Sequence, residues 1–204
     1  MSKGAIAWMA IFLGVFIWSA IDPADTTIWI LEVAPAVVGA IVVGFTRRKF
    51  PLTTLTYVLI LVHCVILMVG GHYTYAEVPL GDWVRDTFDQ SRNNYDKLGH
   101  FVQGFVPAMI AREIVVRLQV FNFVGWRNFF IACFCLAVAA FYELIEWWTA
   151  VLAGESADAF LSTQGYVWDT QADMWTALVG AVLALALLGR WQDRQMSAAG
   201  FSSS

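Results

Sequence analysis

The chain has 204 residues, of which 59% are hydrophobic and 14% charged, and its mean hydropathy is +0.65. Soluble domains carry about 25% charged residues, so this deficit, with apolar runs long enough to cross a bilayer, excludes a soluble domain. The net charge of −4 is small and the basic residues sit in short clusters between apolar runs, which excludes a nucleic-acid partner and makes those clusters topology signals.

The pattern predicts an all-α, polytopic transmembrane helix bundle with six spans, near 4–21, 27–46, 52–71, 97–118, 127–150 and 171–190, given that a spanning helix needs about 20 apolar residues. The first run follows Lys3, has no small-residue cleavage site and leads into Asp22-Pro23-Ala24-Asp25, so it reads as a retained helix and not a signal peptide. In the second, Glu32 precedes Ala34-Pro35 and either joins a polar cluster or pairs at a proline kink. The third holds His63 near its middle, as a hydrogen-bonded core histidine, and ends in Gly70-Gly71-His72-Tyr73-Thr74-Tyr75. Segment 76–93, with Trp83 and Phe88, reads as an amphipathic interfacial stretch. Arg112-Glu113, near the end of the fourth span, is expected to snorkel to the interface. Cys64, Cys133 and Cys135 read as small apolar fillers. Connection 151–168 ends in Ser162-Thr163-Gln164-Gly165-Tyr166-Val167-Trp168 and reads as a lid.

Lys3, Arg47-Arg48-Lys49, Arg112, Arg117, Arg127, Arg190 and Arg194 gather on one side of this arrangement, while 22–26 and 151–168 carry no basic residue. Both termini are therefore expected in the cytoplasm; segment 72–96, with Arg85, Arg92 and several acids, is a mixed-charge exception. A single bundle over 1–196 and a disordered tail over 197–204 complete the organisation.

Charge inside a span costs about 2.5–3.5 kcal/mol per residue on insertion scales, so such residues turn toward protein or water. Asp96 and His100 are four apart, Glu143 and Glu146 three apart, and Asp169 and Asp173 four apart, so each pair shares a helix face. The three helices alternate in direction, yet all three pairs arrive at the outer end, and His72 joins them from the third span. Either they contact water and headgroups separately, or they crowd into one site where a cation or shared protons offset their repulsion, with Lys97 and Arg92 supplying part of the compensation and a bound divalent cation more. In the second case His72, His100, Glu143, Glu146, Asp169 and Asp173 are candidate ligands for a divalent metal such as zinc, manganese or iron. Asp96, His100 and Glu143 are the candidate catalytic groups, and Tyr73, Tyr75, Arg92, Asn94, Lys97 and Gln171 the candidate binding residues.

Asp96-Lys97-Leu98-Gly99-His100, Glu143-Leu144-Ile145-Glu146 and Asp173 followed by Gly180 resemble the VanZ-like family over the last three spans. Glu146 and Ala177 depart from the Gln and Asn of that family, which makes the site more acidic. His72-Tyr73-Thr74-Tyr75, Arg92-Asn93-Asn94-Tyr95-Asp96-Lys97 and Trp168-Asp169-Thr170-Gln171 resemble, over nearly the whole chain, a bacterial inner-membrane family of unassigned activity that includes YjdF. The resemblance implies a multi-pass inner-membrane protein with a cell-envelope role and supplies no reaction. Three functions stay open: an enzyme acting on a lipid or envelope precursor, an ion-linked transporter, and a non-catalytic envelope or resistance factor. Transport is weakened by an inner half that reads as apolar.

Overall fold

The computed structural model describes residues 2–153 and 166–201, which form seven α-helices and no strand. They are α1 (Lys3–Ser19), α2 (Thr26–Thr46), α3 (Thr54–His72), the short α4 (Pro79–Thr87), α5 (Tyr95–Arg117), α6 (Val124–Ala153) and α7 (Asp169–Ala198). Side-chain oxygens of Ser2, Asp25 and Thr53 accept backbone N–H groups in the first turns of α1, α2 and α3, satisfying donors that the helix itself leaves free. By length and apolarity α2, α3, α6 and α7 suffice to cross a membrane. α1 is apolar but has 17 residues, and α5 has 23 but carries Asp96, Lys97, Arg112 and Glu113.

α5 and α7 share the largest interface. A Cβ on Gly104 would collide with the Ala177 carbonyl oxygen, and one on Gly180 with that of Phe101. Ala177, Ala181 and Ala184 on α7 and Ala108 on α5 are fully buried beside them. Small residues let backbones approach until dispersion holds them, which matters where lipid removes the hydrophobic driving force. α3 packs on the other side of α5 and carries α1 and α2, while α6 lies against both α5 and α7. α2 and α6 are not a packed pair, and a crevice separates them. All three cysteines are free; Cys64 and Cys135 are buried in the core, and Cys133 is exposed.

Where α3 begins and α5 ends, the bundle interior is polar, contrary to the apolar inner half and snorkelling Arg112-Glu113 expected above. Glu113 is fully buried and accepts from the Thr53 N–H (2.7 Å), the Thr53 hydroxyl (2.8 Å) and the Thr56 hydroxyl (2.6 Å). Arg112, 4% exposed, donates to Gln192 (2.9 Å) and to both Asp193 oxygens (2.8 Å each). The pair stays inside because α3 and α7 supply its partners there, so no detour to water is needed. The expected tail starts as helix: α7 runs to Ala198, and the Arg117 guanidinium lies 3.7 Å from the Phe201 ring centroid. Residues 154–165, most of the segment read as a lid, lie outside the described residues.

Candidate functional site

At the opposite end, the start of α5 is fixed by Asn93. Its amide oxygen accepts from the Tyr95 N–H (3.0 Å) and its amide nitrogen donates to the Val78 carbonyl (3.0 Å). Asp96 and His100 then face α6 and α7. His100 Nε2 lies 3.4 Å from Asp96, 3.7 Å from Glu143 and 3.8 Å from Asp173. Lys97 Nζ bridges Asp169 (2.7 Å) and Asp173 (2.5 Å), and Arg92 binds Asp169 (2.7 Å). The three helical pairs therefore do converge. His100, Glu143, Asp169 and Asp173 are all buried, and Asp96 and Glu146 are half-buried.

The imidazole is oriented by Gln103, one turn further along α5, whose amide oxygen is 2.9 Å from Nδ1. With Nδ1 donating to that oxygen, Nε2 is the nitrogen turned to the surrounding carboxylates, where it either carries a second proton or offers a lone pair to a cation. Glu143 Oε1 faces it, buried and without a hydrogen-bond partner. A carboxylate oxygen and a ring nitrogen facing each other in a buried site are costly unless a proton or a cation lies between them. Ligand atoms about 2.1 Å from a tetrahedral ion lie about 3.4 Å apart, close to the separations around Nε2. Two trios have donor atoms within 4.8 Å of one another: Asp96, His100 and Asp173, and His100, Glu143 and Glu146. Lys97 already pairs with Asp173, whereas among the described residues Glu143 and Glu146 have no lysine or arginine partner and face His100, with Asp96 beside it.

A cavity of about 170 Å³ opens beneath this cluster, lined among others by Glu32, His63, Tyr75, Asp96, Tyr142 and Glu146. Glu32 does join the polar cluster: it accepts from the Tyr142 hydroxyl at 2.9 Å. His63 lines the cavity floor with its Nε2 buried and unpartnered, which corrects the hydrogen-bonded core histidine expected for it. The Tyr75 ring reaches the cavity between Gly70 and Gly99, either of whose glycines would strike it if it carried a Cβ. Thr74 and Tyr75 both have positive φ (56° and 57°), the sharp turn that returns the chain from α3 over the site.

Other candidates lie elsewhere. His72 does not reach the cluster; its Nδ1 meets the Ser19 carbonyl (3.1 Å) and its ring packs on Trp18 and Tyr73. The turn after α3 points it toward α1, so neither His72 nor Tyr73 faces the carboxylates. Gln171 is exposed. Asn94 accepts from Arg92 (3.2 Å) and so supports the rim. Sequence reasoning missed Gln103 and Tyr142. Gln103 is three residues after His100 on the same face, a signal that was present.

The fold and this cluster define a class: multi-pass helical membrane proteins with an acid–histidine site buried at one end of the bundle. The chain belongs to the family described as predicted membrane protein (DUF2238), which matches residues 4–194. It is 48% identical over 182 residues to inner membrane protein YjdF of Escherichia coli (strain K12), a match covering 89% of this chain and 87% of that protein. The chain is accordingly a multi-pass protein of the bacterial inner membrane. No solved structure matches it significantly.

Proposed function

We propose that this protein is a membrane enzyme that uses a divalent metal to hydrolyse or transfer a group on a lipid or cell-envelope precursor. The supporting observation is the unpartnered Glu143 oxygen facing His100 Nε2 at 3.7 Å, with Glu146 within ligand reach of both. His100, Glu143 and Glu146 would hold the ion, with zinc, manganese or iron matching a donor set of one imidazole and carboxylates. Such an ion supplies a Lewis acid and a water molecule made acidic enough to attack at neutral pH. Asp96, at the cavity edge and 3.4 Å from the imidazole, is placed to take a proton, and Tyr75 and Tyr142 to orient substrate. Arg92 and Lys97 hold Asp169 and Asp173 as a charged wall behind the site.

In this reading α1, α2, α3, α5, α6 and α7 all span, both termini are cytoplasmic, and the site opens just beneath the periplasmic surface. The charge bias of the connections supports that orientation. The likeness to VanZ-like motifs supports a role in the envelope. A second reading rests on Lys97: its ammonium group already bridges Asp169 and Asp173, as in an ion-pair cluster that stabilises a non-catalytic envelope factor.

Metal analysis of the purified protein separates the two. The enzymatic reading expects about one equivalent per chain, lost in His100→Ala and Glu143→Gln, and an affinity about tenfold weaker in Gln103→Leu, the usual cost of removing a group that orients a ligand. Protein that holds no stoichiometric zinc, manganese or iron, even when each is added, would leave the ion-pair reading standing.

A further inference from the structure

The crevice between α2 and α6 has a volume of about 340 Å³ and adjoins the cavity under His100. Its walls are Ile28, Leu31 and Val38 on α2 and Ile145 on α6. Val38 and Ile145 are 59% and 37% exposed on helices long and apolar enough to cross the bilayer, so the mouth faces hydrocarbon. At its inner limit the lining changes to Glu32, Asp96 and Glu146, which line the cavity as well. The apolar slot and the polar cavity are thus continuous through shared carboxylates. Pro35 adds one more acceptor, because it has no N–H for the carbonyl four residues earlier and leaves the Leu31 oxygen without its helical partner.

We propose that this crevice is a lateral binding site for an aminophospholipid drawn from the surrounding leaflet. One acyl chain lies between α2 and α6, and the headgroup ammonium sits among Glu32, the Leu31 carbonyl and the cavity carboxylates. The occupant follows from charge: the slot ends in acids, and in this part of the lining no lysine or arginine is present to receive an anionic headgroup. An ammonium group offers three donors to that set of acceptors, and a chain in the slot covers apolar surface that α2 and α6 do not cover for each other. As a statement about the substrate this rests on the enzymatic reading above; as a statement about binding it does not.

The test reconstitutes the full chain into vesicles of phosphatidylethanolamine and phosphatidylglycerol in equal amounts, with a photoactivatable acyl-chain analogue of one lipid or the other. Labelling of peptides carrying Leu31–Val38 and Ile145–Thr149 is expected to favour the ethanolamine analogue by about threefold, the value of one partly screened ion pair. Glu32→Gln removes that preference. Ala34→Trp, at an exposed position in the slot, removes labelling of both peptides but not of Ile11 and Leu13 on the outer face of α1; Val38→Trp serves if the first variant fails to insert. Equal labelling by both analogues, or labelling of the slot no stronger than that of α1, overturns the proposal. Labelling that persists in protein shown to bind no metal keeps the lipid site while removing the enzymatic reading.

Discussion

Glu113 shows what a single residue contributes in this bundle. It is fully buried, and Thr53 and Thr56 give it a backbone N–H and two hydroxyls within 2.8 Å. Glu113→Gln keeps the shape but replaces one acceptor oxygen by a donor that must face an N–H or a hydroxyl. Leaving a buried donor unsatisfied costs about 1–3 kcal/mol, and at about 2–4 °C per kcal/mol for a chain of this size the melting temperature in detergent should fall by several degrees. Unchanged melting would mean that water reaches the carboxylate. Helical spacing made the opposite cluster legible, because Asp96–His100, Glu143–Glu146 and Asp169–Asp173 each announce a shared face within one helix. It could not announce Glu113 with Thr53, because those partners are 60 residues apart and their meeting depends on how α3 and α5 pack. His72 failed for the related reason that depth along the bundle does not fix azimuth: it lies near the end of α3 but turns to Ser19 and Trp18.

Among the elements, α5 and α7 form the axis on which the site is built, since α5 holds Asp96 and His100 and α7 holds Asp169 and Asp173. Their approach depends on Gly104 against Ala177 and Gly180 against Phe101. Gly104→Ala should therefore destabilise the protein by about 1–3 kcal/mol, the usual cost of overpacking. Gly125→Ala, where an added Cβ meets nothing within 4 Å, should be neutral or slightly stabilising through helix propensity. Thermal unfolding of the two variants side by side checks this; equal melting temperatures would show that the interface yields. Element ends were read less well than element centres. The apolar pattern predicts the last span over 171–190, whereas α7 extends to Ala198. An apolar window marks where lipid stops, and backbone hydrogen bonding continues past it, here because Gln192, Asp193 and Gln195 find partners in Arg112 and the start of α3.

For the molecule as a whole, the two polar layers divide the bundle unequally. One joins α3, α5 and α7 through Thr53, Glu113, Arg112 and Gln192; the other joins α5, α6 and α7 around His100 and reaches α2 through Glu32 and Tyr142. His100 and Arg112 are twelve residues apart on α5, a rise of roughly 18 Å, so the layers lie at different depths and fit in opposite halves of a hydrocarbon core about 30 Å thick. The layer near Arg47-Arg48-Lys49, Arg117 and Arg127 is the cytoplasmic one if basic residues stay inside, and the acid–histidine layer then opens to the periplasm. A fluorescent protein that matures only in the cytoplasm, fused after Ser204, should glow. Ala24→Cys, in the turn that hydrogen-bonds to the His72 carbonyl, should react in intact cells with a maleimide that cannot cross the inner membrane. A dark fusion together with an unreactive Cys at 24 would invert the bundle, place the carboxylates in the cytoplasm, and move any substrate from the outer to the inner leaflet.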